Sequence, residues 1–538
     1  MKTKTWIIVA ILGFIITLSV YNYELINQHT SLPSEGISKE LNMYTSNQKG
    51  FDYDNYSFVS DEEFMYLVMG ENKSVNIIIF DKDGNKIDSY DEETQIEASS
   101  LTASKVNDKI FIVINENGRN STVNFDLKTK TFTNVDMLSE SVKYLYNDLL
   151  LSVMVFDKGF LIQDNNGQEI ISNNDQIIKD FNAKNINGST IVSFIVDTGG
   201  GNKKLISYYY DGQAIKFQEK PLWFTNSRRP EITYNGKEIS IIVPNNEISQ
   251  NNPKYELGVI NFDSIKFEFL DNYSIFMDVS RSTGIFPVDN QDGLIKILMP
   301  YPVLKGSKNN TYNIVQFDFN MGHQINRTLI SKTDYSSLSP KYFSAFGEDY
   351  YVWMGDYYDT KYVNLASSNE TIIDMTTKIS FKDSFMIFIS SLVSLFTLSV
   401  IYIILFVSIA LISWVYLILS VAFLKKGWFS IEKNKFYTAV GILFVMKIIY
   451  TYNYIMQKYS LLSTVPEYLR NNYVILLLLA VITIFTLYVT HLFRKNDIER
   501  DSAMQNFLVF SVLDVLYTLM LIYPYSVAFQ LFNYAVTF

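Results

Sequence analysis

Between residues 45 and 380 the apolar positions fall in short β-branched and aromatic runs broken by Asp, Asn and Gly. Runs of this kind, bounded by turn formers, predict strands rather than helices. They come in pairs, an apolar run, a polar gap, a second apolar run and then a turn. The pairs lie at 64–69 and 75–80, 109–114 and 121–125, 149–154 and 160–162, 190–195 and 205–210, 238–243 and 255–260, 294–299 and 312–317, and 350–354 and 361–365. Seven copies recurring about every 47 residues match the blade length of a β-propeller. A lone small sheet cannot bury both faces, whereas sheets stacked around an axis bury them against each other. The expectation is therefore an all-β domain with seven blades; six or eight blades, a pair of β-sandwiches or a β-solenoid are the alternatives. Asp-Gly and Asn-Gly turns such as Asp211-Gly212 are expected to be type I′.

The ends of the chain follow a different pattern. Residues 6–21 are almost continuously apolar behind Lys2 and Lys4. This reads as a signal-type segment whose exit, with Tyr21 and Tyr23, lacks the small residues of a cleavage site. It is expected to stay as an anchor, with a cleaved peptide as the alternative. From 22 to 382 nothing approaches the roughly 20 apolar residues that a spanning helix needs. Residues 385–424 then run without charge, Pro or Gly, and further apolar runs occupy 436–456, 473–493 and 507–523. Lys425, Lys426, Lys433 and Lys435 mark the following loop as cytoplasmic. One crossing at 399–424 satisfies that loop and an exported domain together, with 384–398 extending the helix or lying along the surface. The reading is five spans, one N-terminal and four C-terminal, with the N-terminus inside and the C-terminus outside. Pro524 is expected to bend or end the last helix. The domains expected are an anchor (1–22), a stalk (23–44) that can also supply a closing strand, an extracytoplasmic β-propeller (45–380) and a transmembrane α-helical bundle (381–538).

Charge supports this division. Residues 23–382 hold 33 Lys and Arg against 48 Asp and Glu, a net of −15, while 383–538 carry +3. An acidic exported part is a poor binder of nucleic acid or of anionic headgroups by charge alone. Lys-, Asn- and Ile-rich usage points to an AT-rich, bacterial genome. There is no Cys, which excludes disulfides, thiolate zinc sites, iron–sulfur clusters and Cys nucleophiles. Three histidines, His29, His323 and His491, provide little for imidazole chemistry. No cofactor and no catalytic residue are expected.

The candidate sites are few. Tyr350, Tyr351, Trp353, Tyr357 and Tyr358 cluster as a surface for stacking a sugar or peptide, against the plainer reading of blade core. Asp81 and Asp83, with Glu92, are weak candidates for a cation site, although the glycine stands in the wrong place for an EF-hand loop. Gly199-Gly-Gly-Asn-Lys-Lys lacks the Walker spacing and reads as a hairpin loop. Arg228-Arg229-Pro230 and Lys305-Gly-Ser-Lys308 are basic spots read as solvated loops, with contact to an anionic wall polymer as the alternative. Lys447 and Asp514 fall within apolar helices at similar depth and are expected to face each other, because each alone costs about 2.5–3.5 kcal/mol. The pair either locks the bundle or takes part in moving a proton, ion or substrate. The functional expectation is a membrane-anchored, non-enzymatic binding or scaffold protein. It would sit in the bilayer of the cell membrane, recognise an extracytoplasmic protein, peptide or glycan, and couple it to a membrane-protein partner. An accessory subunit of a transport or secretion complex is the alternative, and a carboxylate-based hydrolase or lyase is a second.

Overall fold

The computed structural model describes residues 5–522 except 48–50, 52, 117–118, 138–141, 224–226, 228, 246–254, 278–283, 304–310, 334, 358–359, 424–430, 457–465 and 496–501. It divides into two compact units. One comprises Leu32–Val303 and Thr311–Thr377, and the other holds the helices at the two chain ends.

The first unit is a seven-bladed β-propeller. Its strands form seven four-stranded antiparallel sheets. In chain order, blades 1 to 6 occupy residues 56–93, 100–137, 142–173, 177–221, 231–277 and 286–329. The paired apolar runs are the two central strands of every blade. Those strands are covered on both faces, so their residues are apolar almost continuously: Met65–Glu71 is buried at every position. The outermost strand has one wet face, and Lys86–Glu93 is mostly exposed. Successive blades share aliphatic cores. Tyr66, Val68, Ile77 and Ile79 of blade 1, for example, pack with Ile110, Ile112 and Val123 of blade 2. Each fully covered Ile or Val contributes about 1.5–3 kcal/mol.

The first strands of the blades line the axis: β2 (Tyr56–Ser60), β6 (Ser100–Val106), β10 (Val142–Asn147), β14 (Ile177–Ile186), β18 (Glu231–Tyr234), β22 (Phe286–Val288) and β26 (Ser336–Ala345). Polar bonds tie neighbours together. The Ala103 N–H donates to Ser57 Oγ at 3.2 Å, Ser104 to the Asn147 carbonyl at 2.8 Å, and Thr233 to the Val288 carbonyl at 3.1 Å. The ring closes on itself. Blade 7 takes three strands from the end of the propeller sequence, β26, β27 (Glu348–Tyr357) and β28 (Thr360–Ser367), and its outer strand from the beginning, β1 (Leu41–Ser46). β1 pairs antiparallel with β28 from Leu41↔Leu365 to Ser46↔Lys361. Phe58 of β2 stacks on Phe343 of β26 at 4.8 Å, joining blade 1 to blade 7.

The Asp-led turns differ from the type I′ expectation. In 81–85 only Gly84 has positive φ, +79°. Asp81 Oδ1 accepts the N–H groups of Asp83 and Asn85 instead. Asp126, Asp164, Asp211 and Asp263 cap the equivalent turns in the same way. Backbone N–H groups hold these four carboxyls below the usual carboxylate range. The longer loop suits a carboxylate cap, whereas Asn187-Gly188, with φ of 51° and 80°, is a two-residue turn with both residues left-handed.

The second unit contains α1 (Thr5–Thr30), α3 (Phe381–Phe423), α4 (Glu432–Thr451), α5 (Asn472–Lys495) and α6 (Ala503–Leu521), while α2 (Glu370–Thr377) belongs to the propeller. Three segments are long and apolar enough to cross a membrane: Thr5–Asn27, Asn472–Arg494 and Ala503–Leu521. Three of the five spans expected from sequence, the first and the last two, thus meet the length and composition of a crossing helix among the described residues. α3 is apolar through most of its length, and α4 carries Glu432, Lys433, Lys435 and Lys447. The 384–398 segment extends α3, a single helix of 43 residues without a hairpin turn. α1 continues to Thr30, past the exit expected at Asn22, and joins the helical core. Tyr517 donates to the Ala10 carbonyl at 2.8 Å, and Tyr21 and Leu25 are buried with Leu479, Ile482 and Tyr517. Pro524 lies outside the described residues.

Candidate functional site

The axis of the propeller carries a linked set of charges, of which the sequence singled out only Arg229. On β14, Asn182 and Lys184 lie two residues apart and so share a face. Asn182 Nδ2 donates to Glu231 Oε2 at 3.0 Å, and Arg229 Nη2 donates to Asn182 Oδ1 at 2.9 Å. Arg229 Nε lies 3.7 Å from Glu231 Oε1. Lys184 Nζ donates to Asp289 Oδ1 at 2.8 Å and to the Ile232 carbonyl at 3.2 Å. Asp289 also accepts the Tyr234 N–H at 3.0 Å. The strands β14, β18 and β22 thus present one linked set of charges. Burial pushes the Glu231 carboxyl up, and the positive charges of Arg229 and Lys184 partly offset that. The side chain is only 21% exposed, so water screens it weakly.

Lys341 reaches the axis from β26. The register slips between Leu338 and Lys341, where two residues of β26 oppose the single Trp353 of β27. This is a bulge, and bulges re-aim the side chain beside them. Ser339 within it has φ +48°, a left-handed conformation unusual for a residue with a side chain. Tyr56 clamps the bulge by donating to the Ser339 carbonyl at 2.5 Å. The Lys341 ammonium in turn donates to the Tyr56 carbonyl and sits 4.3 Å from the centroid of the Tyr56 ring. Burial brings the amine down to about 8; the Asp54 carboxylate pulls it up and the Arg229 guanidinium pushes it further down.

Apart from Arg229, the propeller residues singled out from sequence fall elsewhere. Tyr350, Tyr351 and Trp353 are blade core, at 0%, 5% and 0% exposure. Alternation along β27 sends Tyr350 into the blade 1 interface, and Tyr351 and Trp353 into the blade 6 interface with Leu298 and Ile314. That corrects the stacking surface: covered rings have no face for a ligand. Tyr357 is half-buried against Tyr335, 6.4 Å between centroids, and Tyr358 lies outside the described residues. Asp81 is occupied by its own turn, with Oδ2 accepting from Asn85 at 3.0 Å, while Asp83 accepts from Asn369 at 3.3 Å. Among the described residues no three His, Asp or Glu side chains gather into a metal-holding group. Gly199, Gly200 and Gly201 form an open hairpin loop, all at positive φ. Arg229 is not a plain loop cation, since it is tied to the axial set; Arg228 and 305–308 lie outside the described residues.

In the helical unit Lys447 of α4 and Asp514 of α6 meet. Nζ lies 2.8 Å from Oδ2 and 2.9 Å from Oδ1, with the side chains at 0% and 1% exposure. Thr483 Oγ1 and Thr518 Oγ1 accept from the same ammonium at 3.0 and 3.5 Å, and Thr486 donates to Asp514 Oδ1 at 3.4 Å. Hydroxyls thus complete the coordination of an enclosed ion pair.

Comparison with known proteins adds propellers of varied function. Kluyveromyces lactis Hsv2 is 13% identical, covering 59% of this chain and 98% of its own, with a TM-score of 0.36. The β-propeller domain of the Trilobed protease from Pyrococcus furiosus is 10% identical over 60% of this chain and 95% of its own, TM-score 0.37. Kuenenia stuttgartiensis hydrazine synthase is 10% identical over 58% and 96%, TM-score 0.39. These figures carry no functional argument, and the propeller itself stands on the sheet topology. No family model and no curated protein matches the chain.

Proposed function

We propose that this protein is a membrane-anchored binding or scaffold protein, with the propeller outside the cytoplasm and the helices in the cell membrane. The observation that carries the reading is the pairing, in one chain, of a closed seven-bladed ring with three helices long and apolar enough to span a bilayer. A rigid ring with loops at both ends of its axis suits recognition of a protein, peptide or glycan. Lysines at 425, 426, 433 and 435 support a cytoplasmic loop after α3 and an outer location for the part before it. The net charge of −15 on 23–382 disfavours nucleic acid as partner. The reading assigns binding rather than catalysis. The burial of α1 residues against α5 and α6 supports retention of the N-terminal helix as part of the bundle.

The chain has no native Cys, so single cysteines report topology directly. Thr129→Cys in an exposed propeller turn is expected to react with a membrane-impermeant maleimide on intact cells, and Lys426→Cys only after lysis. Purification in mild detergent is then expected to retain a stoichiometric partner. The opposite labelling pattern overturns the topology, and a chain that purifies alone from its native membrane overturns the scaffold role.

A further inference from the structure

Along β20 (Tyr255–Asp263) the even-numbered side chains turn toward blade 4. Ile260 and Phe262 lie in the core that blade 5 shares with Ile191, Ile195 and Leu205 of blade 4. Toward the start of the strand the same face passes through Gly258 to Glu256. The register sets Glu256 directly between Asn245 of β19 (Glu238–Asn245) and Phe276 of β21 (Phe269–Met277). Cross-strand partners share a face, so the apolar interface between the blades ends in a row of Asn, Glu and Phe. Three donors hold the Glu256 carboxylate. Ser274 Oγ lies 2.7 Å from Oε1, Asn245 Nδ2 lies 3.0 Å from Oε2, and Trp223 Nε1, from the connection between blades 4 and 5, lies 3.4 Å from Oε1. All three are neutral, and among the described residues no Lys, Arg or His pairs with this carboxylate. The two aromatic residues beside it are open to solvent, Trp223 at 43% and Phe276 at 52%. The row thus joins an oriented anion that has no counter-charge to two exposed rings.

We infer that this row docks a basic side chain, a lysine or arginine, of a peptide or protein partner. The charged head meets Glu256, whose carboxylate accepts about four hydrogen bonds and receives three from the chain itself. The alkyl stem and the positive charge lie against Trp223 and Phe276, because an aromatic face attracts a cation and covers its stem. Ser274 and Asn245 fix the carboxylate before the partner arrives, so little ordering is left to binding. The net charge of −15 on 23–382 draws a basic partner and repels an acidic one. A neutral sugar would use the rings and leave the carboxylate without its counter-charge. This rests on the binding reading and names the chemistry of its partner. The two fail separately: a partner that copurifies while no basic peptide binds leaves the scaffold role standing and removes the docking site.

The test is isothermal titration of the full-length protein in non-ionic detergent at pH 7 and constant ionic strength. The probes are the capped peptides acetyl-Ala-Lys-Ala-amide, acetyl-Ala-Arg-Ala-amide and acetyl-Ala-Gln-Ala-amide, and the neutral sugar chitotriose. Saturable binding of a basic peptide is expected, with the Gln peptide and the sugar weaker by at least about tenfold. Glu256→Gln is expected to weaken the basic peptide at least about tenfold and Trp223→Ala about fivefold. Glu169→Gln removes an equal charge from an exposed position of blade 3 and is expected to change Kd by less than about twofold, which separates the site from the general field of the domain. Because Trp223→Ala also removes a donor from Glu256, the native chain supplies a second measurement. Oxidation of Trp223 by N-bromosuccinimide, read by mass spectrometry, is expected to slow severalfold at saturating basic peptide. Absence of saturable binding of both basic peptides, equal or tighter binding of the Gln peptide or the sugar, a Glu169→Gln effect as large as that of Glu256→Gln, or unprotected Trp223 overturns the inference.

Discussion

Removing one member of the Lys447–Asp514 pair is expected to destabilise the helical unit far more than removing both. The charges are 2.8 Å apart and essentially fully buried. At an effective dielectric constant near 20 their attraction is about 6 kcal/mol. That attraction offsets two desolvation costs of similar total size, so the net worth of the pair is small while the cost of breaking it is large. In Asp514→Leu the ammonium keeps Thr483 and Thr518 but loses its counter-charge. In Lys447→Met the carboxylate keeps only hydroxyl partners. Each single variant is expected to lose about 3–4 kcal/mol, and the double variant Lys447→Met/Asp514→Leu about 1 kcal/mol or less. The coupling energy then comes to about 5–7 kcal/mol. Ser420, fully buried in α3, provides the reporter. As the only thiol in the chain, a Ser420→Cys side chain reacts with a thiol reagent when the helical unit opens, so its reactivity across a denaturant series in detergent measures that unit alone. Single variants costing under about 1 kcal/mol, or a double variant as costly as the sum of the singles, would refute the reasoning. A double variant that assembles normally but abolishes a transport activity of a copurifying complex would assign the pair a part in conduction.

Three further outcomes follow from the packing. Trp353→Ala should cost about 3–5 kcal/mol in denaturant unfolding, because the ring is wholly buried between blades 6 and 7; an effect below about 1 kcal/mol would argue against a core role. Gly13→Leu should detach α1 from the bundle, since even a Cβ there would lie 2.7 Å from Phe485 Cε1 and 3.0 Å from the Tyr517 hydroxyl. Protease sensitivity of α1 in detergent should rise, and unchanged sensitivity would count against the docking. Lys341 binds fewer protons in the folded chain than in the unfolded one between pH 8 and about 10.5, so the native protein should gain stability relative to Lys341→Met as pH rises through that window. A gain of about 1–2 kcal/mol is expected after allowing for water at the axis, and a flat difference between pH 7 and 10 would contradict the burial of the ammonium.

The pattern of the chain alone specified the seven pairs of central strands, because a strand covered on both faces must be apolar nearly throughout and β-branched residues fill a pleated surface well. The apolar character of the chain ends was equally legible, as was the likelihood that a lysine and an aspartate set in apolar helices would need each other. The inner and outer strands were not legible. Lys86–Glu93 looks like loop because one face is wet, and β22 is three residues long. Closure was open as well: β1 lies in what reads as a stalk, and only the return of β28 gives its backbone a partner. The aromatic cluster misled because alternation along a strand is the same whether the two faces meet solvent or neighbouring blades. The axial set stayed hidden although Arg229 stood out as a basic spot, because Asn182, the Arg229–Glu231 pair and Asp289 come from separate blades and nothing local brings them together. Pro340, between Ser339 and Lys341 of β26, is the local residue that marks the bulge. Periodicity records the environment of each strand, which is a local property; the company a side chain keeps depends on how the ring closes, and that is decided by packing between blades.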